Sequence, residues 1–280
     1  MAKKLRETLK IIEKYKKANP HYEELLDILG EMLILREEVS NNVKTETFTV
    51  DENLLEKKMA GGLPLIDIAG GSFDLSQPKA YFLSLLNIAE RRAPEETRQM
   101  IQEIHDGSLN FEQMIRDSFH LLPYDDSEDS EDSEDDETLD LIDLFIEESL
   151  RPFLEKVAER YGDMIAKSTW SEGYCPICGN EPRIGEIREE EGRRYLFCNQ
   201  CGFEWKFRRI KCPFCGNEEQ QSLAYFTVEG EEKCRVDVCN VCRRYVKMVD
   251  FRSREEEANL DVEDIATLHL DILANEEGYH

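Results

Sequence analysis

Eight of the nine cysteines stand in four Cys-x-x-Cys pairs: Cys175/Cys178, Cys198/Cys201, Cys212/Cys215 and Cys239/Cys242. Two thiolates three positions apart on a tight turn can grip one metal ion. Two such turns brought together supply a tetrahedron of sulfur. That donor set suits zinc and equally a single rubredoxin-like iron. The first and third pairs read Cys-Pro-x-Cys-Gly-Asn-Glu, at 175–181 and 212–218, differing only at Ile177 and Phe214. The second and fourth share Cys-Asn-x-Cys. One unit is thus written twice, 37 residues apart from Cys175 to Cys212, which marks a small structural unit used in tandem.

The residues around the sulfurs fit that chemistry. Proline after the first cysteine fixes φ, and glycine after the second tolerates positive φ, so backbone N–H groups can turn toward the sulfurs. Arg243 stands where the other turns carry Gly179, Gly202 and Gly216. Its turn is expected to be strained or differently shaped, and the second site looser. The duplication favours pairing within each unit over a cross-braced arrangement. A disulfide framework would need an oxidising compartment, and nothing in the sequence addresses the chain to one. Such small modules bury too little apolar area to fold alone, so a metal would supply about 10 kcal/mol or more of folding free energy per site. Cys234, the odd cysteine, reads as a packed thiol on a strand.

Short alternating runs predict the strands that carry the pairs. They are Arg183–Ile187 and Tyr195–Phe197 in the first unit, and Leu223–Val228 and Arg235–Val238 in the second. A third strand follows each unit, Phe203–Phe207 and Tyr245–Phe251. Before the cysteines the period is helical. Leu5, Leu9, Ile12 and Tyr15 form one stripe, broken at Asn19-Pro20. Tyr22, Leu25, Leu26, Leu29, Met32 and Leu33 form a second, closed at Asn41-Asn42. Further helices are expected from Ser76, from Pro94 and around Phe111–Phe119. Leu139 to Val157 marks one or two more, with Pro152 as a kink or a fresh start. Gly70-Gly71 lacks the surroundings of a phosphate loop and reads as a turn. A last helix is expected from Leu260 to Ala274 on Ile265, Leu268 and Ile272.

The expected class is α+β: an N-terminal all-helical domain, then a tandem rubredoxin-like or zinc-ribbon β module, then a C-terminal helix. The expected divisions are 1–124 helical, 125–137 an acidic disordered loop, 138–171 helical again, 172–210 and 211–252 the two Cys₄ ribbons, and 253–280 the last helix. The acidic run holds ten carboxylates and three serines in thirteen residues, with nothing apolar to bury.

Formal net charge is −26, yet residues 175–250 hold 13 basic and 13 acidic side chains. The excess of negative charge lies outside the cysteine module, which argues against a general nucleic-acid binder, because phosphate contacts need surplus Lys and Arg. One basic cluster, Arg193, Arg194, Lys206, Arg208, Arg209 and Lys211, interleaves with Tyr195, Phe197, Trp205 and Phe207. It reads either as a charged, solvated sheet edge or as a face for a partner. No run approaches the roughly 20 apolar residues of a membrane span. The sequence therefore predicts a soluble cytoplasmic protein with reduced thiols. His105 and His120 lie near helix ends with no ligand pattern beside them. No Ser/His/Asp set, open metal position or nucleotide loop is present, so no enzyme is expected.

Several of these pieces together resemble the formate dehydrogenase accessory (FdhE-like) family. They are the doubled Cys-Pro-x-Cys-Gly module, Arg194-Tyr195-Leu196-Phe197-Cys198 with Trp205, and Cys239-Asn240-Val241-Cys242 followed by Tyr245-Val246-Lys247. The tail Asp264-Ile265-Ala266-Thr267-Leu268-His269-Leu270-Asp271, closing in Glu277-Gly278-Tyr279, looks like the family's C-terminal signature. Gly62-Leu63-Pro64-Leu65 and Phe145–Phe153 look like its helical landmarks. The resemblance implies a cytoplasmic assembly factor that binds the catalytic subunit of formate dehydrogenase, with iron at the Cys₄ sites; zinc is equally allowed by the spacing. Two other readings use the same motifs: a tandem zinc-ribbon protein acting on nucleic acid or in transcription, and a rubredoxin-like electron carrier.

Overall fold

The computed structural model describes residues 3–43, 47–68, 70–91, 94–120, 137–231, 233–250, 252 and 259–280. The expected acidic loop falls outside them except for Glu137, as does Phe251.

A helical layer precedes a sheet. Its helices are α1 (Lys3–Ala18), α2 (Glu23–Asn42), the short α3 (Leu55–Ala60), α4 (Ser76–Ala89), α5 (Pro94–Asp106), α6 (Phe111–His120) and α7 (Glu137–Ala166). Asn19-Pro20 separates α1 from α2, because proline supplies no N–H to continue a helix. Pro152 lies inside one continuous α7, so the fresh start expected there does not occur. Neighbours on both sides, Leu150, Phe153 and Leu154, are fully or almost fully buried and hold the helix together across the missing hydrogen bond. The core between α4 and α7 is built from Tyr81, Phe82, Leu85, Leu86, Phe145 and Leu150. Burying one such side chain is worth about 1.5–3 kcal/mol.

The strands are β1 (Ile184–Arg188), β2 (Arg193–Phe197), β3 (Glu204–Phe207), β4 (Leu223–Phe226), β5 (Cys234–Cys239) and β6 (Tyr245–Asp250). Each lies within about two residues of its expected place. The two units do not form separate ribbons. They merge into one sheet of order β3-β2-β1-β6-β5-β4. Within each unit the strands are antiparallel; the seam β1–β6 is parallel, with Ile184 opposite Lys247. The first strand of one unit thus lies beside the third strand of the other.

The C-terminal segment departs from expectation. Two helices, α8 (Leu260–Ala266) and α9 (Leu268–Glu276), replace the single one. The break sits at Thr267, whose φ is −117° and whose hydroxyl donates to the Glu263 carbonyl at 2.7 Å. The break resets the buried face: Leu260, Val262, Ala266, Leu270 and Ala274 are buried, while Ile272 is 59% exposed. Asn259 caps α8 by accepting from the Val262 N–H.

Buried charges bind the helices to each other. Glu148 on α7 accepts both Nε and Nη2 of Arg36 on α2, at 2.7 and 2.6 Å, and the Tyr81 hydroxyl at 2.7 Å. Asp261 at the start of α8 lies 3.2 Å from both Arg36 and Arg151. Burial opposes the charge on Asp261, but the two guanidiniums hold its carboxyl below the usual range. Removing one partner of such a set strands the others. Glu148→Ala is therefore expected to lower unfolding free energy by about 3–5 kcal/mol, read as a shifted denaturant midpoint. A loss under about 1 kcal/mol would show that the cluster stabilises little.

Candidate metal centres

The four cysteine turns share one backbone pattern. In each, the N–H of the residue four beyond the first cysteine donates to that cysteine's carbonyl: Gly179 to Cys175, Gly202 to Cys198, Gly216 to Cys212 and Arg243 to Cys239. The first cysteine's N–H in turn donates to the carbonyl five residues on, at Asn180, Phe203, Asn217 and Arg244. The fold-back requires positive φ, and Gly179, Gly202 and Gly216 take 82°, 68° and 72°. Arg243 takes 59°. Its turn is strained as expected but not differently shaped, at a cost of about 1–2 kcal/mol for an L-residue.

Contacts from the C-terminal tail offset that strain. Arg243 donates to the carbonyls of Glu277 and Gly278 at 2.9 and 3.2 Å. Its guanidinium lies 4.1 Å from the centre of the Tyr279 ring. The His280 N–H returns a bond to the Arg243 carbonyl, and the Tyr279 hydroxyl donates to Asn240 at 2.7 Å. The Glu277-Gly278-Tyr279 ending therefore clamps the fourth turn.

All eight expected cysteines fall into two quartets: Cys175, Cys178, Cys198 and Cys201, and Cys212, Cys215, Cys239 and Cys242. Pairing is within each unit. The Sγ–Sγ separations are 3.4 Å for Cys175–Cys201 and Cys178–Cys198, and 3.6 and 3.7 Å for Cys212–Cys242 and Cys215–Cys239. These are too long for disulfides. They approach the edge of about 3.8 Å that a tetrahedron with metal–sulfur bonds of about 2.3 Å requires. The Ile177 N–H points at the Cys175 sulfur from 3.4 Å, and the Asn217 amide at Cys239 from 3.8 Å. Each quartet could hold one ion, with no ligand position left open.

The two sites differ in their surroundings. In the first, no cysteine is more than 8% exposed. In the second, Cys215 is exposed and Cys242 half-buried. Burial pushes the Cys178 and Cys201 thiols well up, so the first quartet cannot carry its full charge without a cation. Burial also raises Cys242. At Cys239 the N–H groups of Cys242 and Val241 outweigh burial and bring the thiol down to about 7. Cys234 belongs to neither quartet; it begins β5, packed between two small apolar clusters.

The first site is bolted to the helical layer. The loop before it, containing Gly62 to Leu65, runs beside the first turn. There Leu65 and Ile66 donate to the carbonyls of Pro176 and Ile177 at 2.9 and 2.8 Å. Arg151 on α7 donates to the carbonyls of Cys198 and Asn199. A Cβ on Gly202 would come within 2.8 Å of the Arg151 guanidinium. On the other side, buried Lys247 on β6 pairs with Asp264 and Asp271 at 2.7 and 2.6 Å. Asn199 also donates to Asp264 at 2.9 Å. These tail carboxylates are plain in the sequence, but nothing local signals partners so distant in the chain.

Comparison with known proteins agrees with this geometry. Residues 174–209 match the family model described as FdhE, central domain, and residues 210–280 the model described as FdhE, C-terminal domain. A protein named Protein FdhE homolog from Aquifex aeolicus is 27% identical over 265 residues, covering 93% of this chain and 87% of that protein. The chain is similar to FdhE proteins, by family model over its cysteine-rich part and by sequence along most of its length. A Protein FdhE homolog from Pseudomonas aeruginosa is 38% identical over 120 residues, which is 38% of that relative's length. The crystal structure of the FdhE protein from Pseudomonas aeruginosa shares this fold. Its TM-score is 0.66 at 23% identity, over 97% of this chain and 90% of that one.

The contrast between the sites sets an order of metal loss. In the metal-loaded chain, a chelator is expected to strip the second site first. Iodoacetamide should mark Cys215 and Cys242 before any cysteine of the first quartet. Deleting residues 277–280 should accelerate loss from the second site alone. Peptide mapping that found the first quartet labelled first would contradict this ordering.

Proposed function

We propose that this chain is a non-enzymatic, cytoplasmic accessory factor for the assembly of formate dehydrogenase, that it binds the catalytic subunit, and that the eight quartet cysteines ligate two metal ions. The observation that carries the reading is the pair of closed four-sulfur quartets in an FdhE-like chain. A quartet with every ligand position filled by sulfur suits structure or electron storage rather than Lewis-acid catalysis. The net charge of −26 favours a protein client over nucleic acid. The basic–aromatic cluster weakens the nucleic-acid reading further. Trp205 and Phe207 are 4% exposed, Arg193 pairs with Glu189 and Arg208 with Glu218. No helix among the described residues is long and apolar enough to cross a membrane.

The ion decides which version of this role operates. Zinc gives a rigid platform; iron adds a one-electron change that could tie client handling to redox state. Burial and the Arg151 contacts suit the first site to the structural part. The electron-carrier reading attaches only to the second, where Cys215 is exposed.

Cys175→Ser with Cys178→Ser, placed in a host lacking its own copy, is expected to abolish formate dehydrogenase activity and co-purification of the catalytic subunit. Activity equal to that with the unaltered chain would refute the assignment. A colourless, zinc-only protein from anaerobic purification would remove the redox version and leave the platform.

A further inference from the structure

The second unit carries a cavity beside its cysteine quartet, lined in part by Cys212 and Cys239. It has a volume of about 400 Å³ and lies between the Cys212 turn and the sheet formed by β4, β5 and β6. That size suits one side chain or a small ligand. Five cationic residues line it, Arg194, Arg209, Lys211, Arg235 and Arg244, against one carboxylate, Asp237. Arg244 is satisfied elsewhere, by a two-pronged pair with Glu181 at 2.9 and 2.6 Å. Of the other four, Arg235 and Arg194 reach Asp237, at 2.8 and 3.6 Å. Arg209 has no ion-pair partner among the described residues; Lys211 donates to the Ser171 carbonyl at 3.1 Å and lies 5.6 Å from the centre of the Phe207 ring.

Arg194 is the sharpest anomaly. Its side chain is only 3% exposed. One nitrogen donates to the Lys211 carbonyl at 3.1 Å, while its Nε has no hydrogen-bond partner. A buried guanidinium with an idle donor at the wall of a cavity is costly unless a ligand completes it. Three guanidiniums here stack on aromatic faces: Arg194 5.7 Å from the centre of Phe207, Arg235 4.7 Å from Tyr225, and Arg244 3.9 Å from Phe214. Stacking fixes their planes, and the planar fork matches a carboxylate.

The rim points to what presents that carboxylate. Tyr225 is 62% and Ile210 50% exposed. Among the described residues β4 is the terminal strand of the sheet and pairs only with β5. A strand edge with apolar side chains beside a cationic hole is the arrangement that accepts an extended peptide by strand addition. We propose that an extended, acidic segment of a partner polypeptide lies along β4 and places a glutamate or aspartate side chain in this cavity, against Arg194 and Arg209. The chain's overall negative charge does not forbid this, because the module itself is neutral and exposed charges are screened beyond about 8 Å at physiological salt. The inference rests on the function proposed above only in taking the partner to be a polypeptide.

The test is direct binding to the full, metal-loaded chain, followed by fluorescence anisotropy. The probe is an acetylated, amidated peptide of alternating glutamate and leucine, and its glutamine counterpart is the control. The glutamate peptide should bind and the glutamine peptide should bind at least about tenfold more weakly, as loss of charge-assisted hydrogen bonds predicts. Arg209→Glu, an exposed change that leaves the fold intact, should weaken the glutamate peptide by about tenfold or more. Arg194→Lys, which keeps charge but loses the fork, should weaken it too. Equal affinity for both peptides, or an unchanged Arg209→Glu, would overturn the proposal. So would binding of an oligothymidylate in place of the peptide. Co-purification separates this failure from that of the proposed function. A catalytic subunit retained equally by the unaltered chain and by Arg209→Glu would refute the cavity and spare the function. A subunit retained by neither would refute the function, and the peptide assay would still decide the cavity.

Discussion

Four sulfurs held within van der Waals distance in a buried site set the terms for this molecule. As thiols they waste the hydrogen-bonding turns around them; as thiolates they repel and lack solvent. One cation resolves both problems. The first quartet, closed off from water, has the stronger need, and the structure places its firmest contacts there. The Cys175 and Cys198 turns receive bonds from the loop after α3 and from α7, so helical layer and sheet meet at that site. The second quartet relies on the sheet and on the C-terminal clamp around Arg243.

The buried ionic clusters extend this architecture away from the sulfurs. Arg36, Glu148 and Tyr81 tie α2, α4 and α7 together; Asp261 and Arg151 carry the tie to α8 and to the Cys198 turn. Lys247 does the same for β6 with α8 and α9. Ion pairs of this kind add specificity more than net stability. Their partners lie on five helices and one strand, so they can be satisfied together only when the helical layer and the sheet are correctly docked.

How much of this was legible in the sequence follows from range. The cysteine turns, the strands and most helices rest on local spacing: a proline, a glycine, a period of two or of 3.6 residues. The strained left-handed turn at Arg243 was visible because three sister turns carry glycine. What escaped depends on residues far apart. The parallel seam between β1 and β6, which merges two ribbons into one sheet, leaves no mark in either strand. Nothing local in Leu63-Pro64-Leu65 reveals its bonding partner, a cysteine turn more than a hundred residues later. The break at Thr267 was missed because Ile265, Leu268 and Ile272 imitate a continuous stripe; a threonine that bonds back to its own helix gave only a weak hint. Arg194 looked like one more surface cation in a basic cluster, and only tertiary packing shows it buried beside Phe207.

Each quartet is proposed to be a metal centre whose sulfurs are neither oxidised nor idle. Native mass spectrometry of anaerobically purified chain tests it most directly. The expected result is a species carrying two metal ions per chain, which falls to the mass of the fully reduced polypeptide on acid denaturation. A metal-free native species, or a denatured mass lowered by about 2 Da for each pair of joined sulfurs, would contradict it.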